Sequence, residues 1–284
     1  MTTGPAGVEQ TLEVIRPGGT LVLTGAGVST DSGIPDYRGP GKPVRNPMSY
    51  SAFVGSPVAR QRYWARAHAG WGRMANARPN AAHDALARLE RLGVVIGVIT
   101  QNVDGLHADA GTRRLIELHG RLADVVCLSC GNVCSREDLA VVLDRLNPGF
   151  TDRSAGHAAP DGDVELGDAE VAGFVVADCQ VCGGTLKPDV VFFGENVPVE
   201  RVRRAYGMVD AAAAMLVVGT SLAVHSGRRF VTRASERGIP VVIVNQGPTR
   251  ADHLAQVRVS GGAGQVLRGL VQRLNQVDGV GRAS

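Results

Sequence analysis

The stretch from Thr24 to Gly39, TGAGVSTDSGIPDYRG, follows directly on the apolar run Leu21-Val22-Leu23. A short apolar run that breaks at once into Gly-Ala-Gly reads as a strand turning sharply into a loop. Gly25 and Gly27, on either side of Ala26, have no Cβ, so the backbone there can bend closely around a pyrophosphate. Ser29, Thr30 and Ser32 add hydroxyls that can donate to a ligand or cap a helix. Beyond them, Gly33-Ile34-Pro35-Asp36-Tyr37-Arg38 is too polar and too interrupted to prolong a helix. It nevertheless sets a carboxylate and a guanidinium beside the loop, as a site for chemistry on a dinucleotide requires. Taken alone, Gly-Ala-Gly after a strand is equally a tight turn of any α/β protein. The hydride-transfer fingerprint is also incomplete: a third glycine is missing, as is an acidic residue about twenty positions on.

The five cysteines supply the second constraint. Cys127 and Cys130 form one Cys-x2-Cys knuckle, Cys179 and Cys182 another, and each is followed by a glycine, Gly131 or Gly183, suited to the turn. Four thiolates converging on one ion make a closed, tetrahedral, structural Zn²⁺ site; two independent redox-active pairs are the alternative. Cys134 is expected to be a bystander. A chain of 284 residues with 20% charged residues can bury a sizeable core, and a net charge of +3 is too small to imply a nucleic-acid partner. The longest apolar run, Ala211–Gly219, is too short to span a membrane and reads as a buried strand. The opening MTTGPAGVEQ lacks the basic start and apolar core of a secretory signal, so a cytoplasmic location is expected.

Alternating short apolar strands and helices imply an α/β fold. Strands are expected at Thr20–Thr24, Gly93–Thr100, Met215–Gly219 and Pro240–Asn245, and helices at residues 8–15, 80–91 and 226–237. Loops follow Leu23, Ile99, Val218 and Val244 at the carboxyl ends of strands, where open parallel sheets bind ligands. Two segments interrupt the alternation: 40–79, with Tyr63, Trp64 and Trp71, and 121–190, with the knuckles. The expected organisation is a discontinuous Rossmann-like domain (1–39, 80–120, 191–275), with a smaller inserted domain made of a helical module and a zinc module. Residues 147–173, rich in Gly, Asp and Pro, read as a surface insertion, and 276–284 as a frayed tail.

From about Leu12 to Leu270 the chain resembles the sirtuins, NAD-dependent protein lysine deacylases. The motifs are GAGVSTDSGIPDYRG, TQNVDGLH (100–107), LHG (118–120), the two knuckles, KPDVVFFGE (187–195), GTSL (219–222) and VNQGPT (244–249), in family order. QRYWAR (61–66), APDGDV (159–164) and GPTRAD (247–252) are similar to the class II branch. The resemblance implies NAD as co-substrate, one structural Zn²⁺ and acyl-lysine proteins as substrates, with no nucleic-acid or membrane partner; the oligomeric state is left open. It implies that His119 is the general base and that Asn102 is catalytic, with Gln101, Val103 and Asp104 around the nicotinamide ribose and carboxamide together with Ser29, Ile34 and Asp36. Without the family, an Asn-x-Asp loop is turn chemistry and a lone His is more often structural. Gly219, Thr220, Ser221, Asn245, Gln246 and Gly247 are implied at the adenosine side, and Ala263 at the adenine. Val191, Phe192, Phe193, Gly194 and Glu195 are expected to offer an open strand edge to the peptide. GTSL continues here as Ala223-Val224-His225 where the family usually reaches a proline. Acid-selective members carry a Tyr-x-x-Arg pair, which residues 40–78 are taken to lack, so uncharged acyl groups are expected. Mono-ADP-ribosyl transfer would use the same residues. A hydride-transfer oxidoreductase and a non-catalytic zinc-ribbon module are the less favoured readings.

Overall fold

The central strands of the main sheet are apolar through their middles, because helices cover both faces. Leu21 and Leu23 point to one side and Val22 to the other; Met215/Val217 against Leu216, and Val241/Ile243 against Val242, repeat the alternation. In the computed structural model, which describes residues 2–37, 47–151 and 162–280, seven strands form one parallel sheet. They are β1 (Thr2–Thr3), β2 (Thr20–Thr24), β3 (Val95–Thr100), β4 (Leu115–Glu117), β8 (Ala214–Val218), β9 (Val241–Val244) and β10 (Val257–Ser260). Their order is β1-β10-β9-β8-β2-β3-β4. The chain winds one way from β2 through β3 to β4, and the other way from β8 through β9 to β10. The switch point therefore lies between β2 and β8, whose last residues Thr24 and Val218 are paired. A crevice at such a point is where this class of sheet binds its ligands.

Helices α1 (Gly4–Ile15), α4 (Ala81–Arg91) and α10 (Ala263–Val280) cover one face, and α8 (Val199–Asp210) and α9 (His225–Glu236) the other. Helix α4 shows how local chemistry places them. Pro79 precedes the N-cap Asn80, whose side chain accepts from Ala82 N at 2.8 Å, while His83 Nδ1 accepts from Asn80 N at 3.2 Å. This reciprocal cap satisfies donors that would otherwise be orphaned. Ala82, Ala85, Leu86 and Leu89 then face the sheet, and Arg88 and Arg91 sit in the last turn, where the helix dipole favours cations.

The second body has its own apolar core. Strands β5 (Gly120–Cys127), β6 (Val133–Ser135) and β7 (Leu186–Val190) make an antiparallel sheet in the order β6-β5-β7. Against it lie α2 (Tyr50–Gly55), α3 (Pro57–Ala75) and α6 (Arg136–Leu146), with the short α5 (Leu106–Asp109) at its border and α7 (Asp168–Val171) adding Val171 to the core. The Arg136 guanidinium, 2% exposed, sits 5.5 Å from the Trp64 ring and 5.0 Å from that of Trp71. This stack joins the tryptophans of 40–79 to the zinc module.

Three expectations change. The described part of 147–173 is built into this core: Val171 belongs to it, Phe150 and Leu166 pack against it, and Val164 is buried beside it at 3% exposed. Asn147 bonds the Val175 backbone in both directions, accepting its N–H at 2.6 Å and donating to its carbonyl at 2.9 Å. Its apolar residues (Val164, Leu166, Val171), scattered among turn formers, are what anchor it. Helix α10 continues to Val280, into the stretch read as a tail. Strands β1, β4 and β10 were not expected: they have two to four residues each and stand at or near the sheet edges, where little apolar sequence is required. Among the described residues no helix is long and apolar enough to cross a membrane.

Candidate active site at the switch point

The Gly-Ala-Gly loop crosses directly onto the loop after β8. Gly25 N donates to Val218 O at 3.3 Å and Gly27 N to Gly219 O at 2.8 Å. Gly25 has an extended backbone (φ −143°); a Cβ there would lie 2.6 Å from Thr220 Cβ. Glycine is thus required at this position by close approach of two loops rather than by an unusual φ. Past Ser221, Leu222 takes φ 52° while fully buried, a strained conformation for a branched side chain, held with its N–H on Thr220 Oγ1 at 3.2 Å.

Ser29, fully buried, is the hub of the site. Its hydroxyl donates to Asp104 Oδ2 at 2.6 Å, accepts from Asn102 Nδ2 at 2.9 Å and meets His83 Nε2 at 3.5 Å. Since His83 Nδ1 already accepts, Nε2 carries the hydrogen, and the one donor and both lone pairs of Ser29 are used. Asp104 Oδ1 accepts from Leu106 N at 3.0 Å. The loop after β3 is therefore locked to the loop after β2. His83, which holds this hub from behind, carried no functional signal in the sequence beyond its offset of three from the Asn80 cap.

His119 follows β4. Its Nδ1 lies 2.8 Å from the carbonyl oxygen of Gln101, the residue before Asn102, and its Nε2 lies 2.8 Å from Ser226 Oγ. A carbonyl can only accept, so Nδ1 carries the hydrogen in the neutral ring and Nε2 holds the lone pair. Burial, then the facing guanidiniums of Arg201 and Arg229, push its pKa below 6.5, against the pull of the Gln101 carbonyl. The Gln101 side chain ties the two halves of the sheet together, donating to Thr24 O at 3.2 Å and Thr220 Oγ1 at 3.0 Å. Ser226, in the first turn of α9, was not singled out in the sequence.

The remaining expected residues are spread around this centre. Ile34 is buried against the second core; Pro35, Asp36 and Tyr37 are half-buried; Ala26 and Thr30 flank the Gly27 turn; Arg38 lies outside the described residues. Val103 packs towards the second core, its carbonyl accepting from Leu122 N at 2.9 Å. Ser221 O accepts from Arg250 N at 2.9 Å. The loop after β9 is shaped by an arginine the sequence did not flag: Arg258 donates to Asn245 O at 3.1 Å and to Gly247 O, and pairs with Asp252 at 3.0 Å. Gln246 projects exposed from that loop, and Ala263 opens α10.

The segment Val191–Glu195 is a clamped turn rather than an open strand edge, which corrects that expectation. Val191 N donates to His119 O at 2.8 Å, and Phe193 O accepts from Tyr50 N at 2.9 Å. Glu195 folds inward: its Oε2 accepts from Phe192 N at 2.8 Å and lies 3.1 Å from Nζ of Lys187, itself 3% exposed. That ammonium also donates to Val190 O at 2.5 Å and lies 4.9 Å from the Phe192 ring. Phe192 is buried, whereas Phe193 and Gly194 face out. A second correction concerns residues 40–78. Residues 63–66 read Tyr-Trp-Ala-Arg, so the Tyr-x-x-Arg spacing is present. The Tyr63 ring packs 5.2 Å from that of Phe192, and Arg66 Nε donates to Val164 O at 2.9 Å.

The four knuckle sulfurs all lie within 4.8 Å of one another, with Cys127–Cys182 at 3.5 Å and Cys130–Cys179 at 3.9 Å. Tetrahedral zinc at a Zn–S distance of about 2.3 Å has sulfurs about 3.8 Å apart, so the donor set fits that ion. Gly131 (φ 72°) and Gly183 (φ 69°) make the left-handed turns that close each knuckle. Cys134 lies outside the cluster.

The Sir2 family profile matches residues 25–226. The NAD-dependent protein deacetylase 1 of Mycobacterium avium (strain 104) is 52% identical over 279 residues, covering 97% of this chain and 98% of its own. That of Streptomyces coelicolor is 53% identical over 264 residues, covering 92% and 88%. Among solved structures, a Sir2–p53 peptide–NAD+ complex superimposes with a TM-score of 0.76 at 32% identity, covering 94% of this chain and 98% of that one.

Proposed function

The chain belongs to the Sir2 family, and we propose that it is an NAD-dependent protein lysine deacetylase of the class II branch. The observation that carries the mechanism is the single hydrogen-bonded set Ser29–Asn102–Asp104, joined through the Gln101 backbone to His119 at the switch point. NAD is the co-substrate. The Gly25–Gly27 loop takes its pyrophosphate; Asn245, Gln246 and Gly247 take the adenosine ribose. Asn102 and Asp104, held from behind by Ser29, face the nicotinamide ribose and carboxamide. The acyl oxygen of the substrate lysine attacks the ribose C1′ as nicotinamide leaves. His119 then accepts a proton at Nε2 from a ribose hydroxyl, which attacks the acyl carbon. A water molecule adds to that carbon, and collapse breaks its bonds to the lysine nitrogen and to the C1′ oxygen, leaving the acyl group as an ester on the ribose. The products are free lysine, nicotinamide and O-acyl-ADP-ribose. Zinc in the four-cysteine cluster has no open position and serves the fold alone.

The test is a panel of acyl-lysine peptides with NAD, read by mass spectrometry. Deacetylated peptide and O-acetyl-ADP-ribose in equal amounts are expected; a peptide or protein heavier by ADP-ribose, without acyl loss, would mark a transferase instead. The panel includes succinyl and malonyl lysine, because Tyr63 reaches the Phe192 ring and Arg66 follows it by three. Turnover of those acids exceeding that of acetyl-lysine would assign the pair to acyl recognition.

The inward pair Lys187–Glu195 shapes the turn on which the peptide would rest. Removing one partner leaves a buried ammonium uncompensated. Glu195→Gln is expected to raise the peptide KM about tenfold while the NAD KM stays within about twofold, since uniform substrate binding alone is lost. Initial rates with each substrate varied in turn measure both, and an unchanged peptide KM would remove the loop from peptide binding.

A further inference from the structure

We propose that Ser226 is a positioning residue for the base, a hydroxyl that partners His119 Nε2 in both of its protonation states. The inference rests on the deacetylase reading above and adds a residue to it. Gln101 O fixes the hydrogen on Nδ1 whatever the charge of the ring, so every proton taken or released passes through Nε2. The group at Nε2 is Ser226 Oγ, 2.8 Å away. While the imidazole is neutral and no ribose hydroxyl faces it, the Ser226 hydroxyl donates to its lone pair, and it turns its hydrogen away as the ribose O–H takes that place. Once the imidazole has taken a proton, a rotation about Cβ–Oγ lets the same oxygen accept from the new N–H. A carbonyl or a carboxylate could not serve both states, and an alanine could serve neither.

The surroundings make that oxygen matter. The charged groups acting on the ring are the guanidiniums of Arg201 on α8 and Arg229 on α9, and both disfavour an imidazolium. Arg201 comes close enough for Nη1 to lie 3.4 Å from Leu118 O, the carbonyl just before His119. Arg229 is three residues beyond Ser226 and so on the same side of α9. A protonated His119 between two cations needs an acceptor, and hydrogen bonds to charged groups are the stronger kind. Nor is the hydroxyl occupied in making the helix: the N-cap of α9 is Val224, with no side-chain cap. Ser226 stands just past Ala223-Val224-His225, where the chain departs from the usual course of the motif.

The experiment compares wild type, Ser226→Ala and Ser226→Thr, each first shown to melt within a few degrees of wild type. Two rates are read in one acetyl-peptide mixture: exchange of labelled nicotinamide into NAD, which needs no base, and formation of deacetylated peptide. Wild type must show both, which tests the deacetylase reading separately. Given that, Ser226→Ala is expected to keep exchange within about twofold and to lose about tenfold or more in product formation, the smaller share of a general-base effect. The acid limb of its kcat/KM profile should move to lower pH, because the lost acceptor stabilised the protonated ring. Ser226→Thr, which keeps the hydroxyl, should recover product formation to within about threefold. Exchange and product formation falling together, or an unmoved acid limb, would overturn the proposal.

Discussion

His119→Ala is expected to bind NAD within about twofold of the wild-type affinity and to lose deacetylation by about 10²–10⁴-fold, the range a positioned general base contributes. The separation follows from where the ring is held. His119 takes no part in the Ser29–Asn102–Asp104 lock or in the crossing of the two glycine loops, so truncating it leaves the dinucleotide end of the site standing. What disappears is the lone pair on Nε2. The ring is kept neutral by burial and by Arg201 and Arg229, so its pKa lies below the ordinary 6.5. The sign of the pH dependence follows. A base works while deprotonated, and a lowered pKa extends the deprotonated range downwards, so the acid limb of kcat/KM should fall below pH 6.5. Equilibrium NAD binding by calorimetry, with the pH–rate profile, checks both halves. Full residual turnover in His119→Ala would sink the base assignment, and an acid limb above 6.5 would contradict the buried, cation-flanked ring.

The parts of this site legible in the sequence are those with local chemistry. The strand-to-glycine transition at Thr24 and the paired cysteines announce their structures because a turn or a metal demands those residue types at those offsets. Asn102, Asp104 and His119 stood out through the family resemblance, since neither an Asn-x-Asp turn nor a single histidine is informative alone. What stayed hidden is long-range. Ser226 stands 107 positions from His119, and the clamp of Arg258 on Asn245 and Gly247 depends on β9 and β10 lying side by side. The inward turn of Glu195 has the same origin. A carboxylate in a polar loop reads as solvent-facing until the ammonium of Lys187 is found buried beneath it. Gly25 has a cause besides the one expected, because no single sequence shows that Thr220 will pass within reach of residue 25.

Removal of zinc, by a chelator or by Cys179→Ser, is expected to unfold the smaller body and abolish activity, although no step of the reaction passes through the metal. Cys127 ends β5 and Cys130 lies in the turn to β6, while Cys179 and Cys182 stand in the loop that leads into β7. The cluster therefore ties together strands that are only three to eight residues long. Without the ion, four thiolates at 3.5–4.8 Å would repel or be forced to take up protons. Structural zinc supplies about 10 kcal/mol or more of folding free energy in small metal-dependent units, comparable with the whole 5–15 kcal/mol margin of an ordinary domain. The damage should reach the chemistry through one covalent and one hydrogen-bonded link. β5 begins at Gly120, immediately after His119, and β7 leads into Val191, whose N–H is bonded to His119 O. The parallel sheet has a separate core, so calorimetry should show two transitions, the earlier one lost with the metal and the later one retained. Zinc content near one per chain in the intact protein, and near zero in the variant, completes the measurement. A stripped protein that melts and turns over like the wild type would show that the four sulfurs hold the smaller body without an ion.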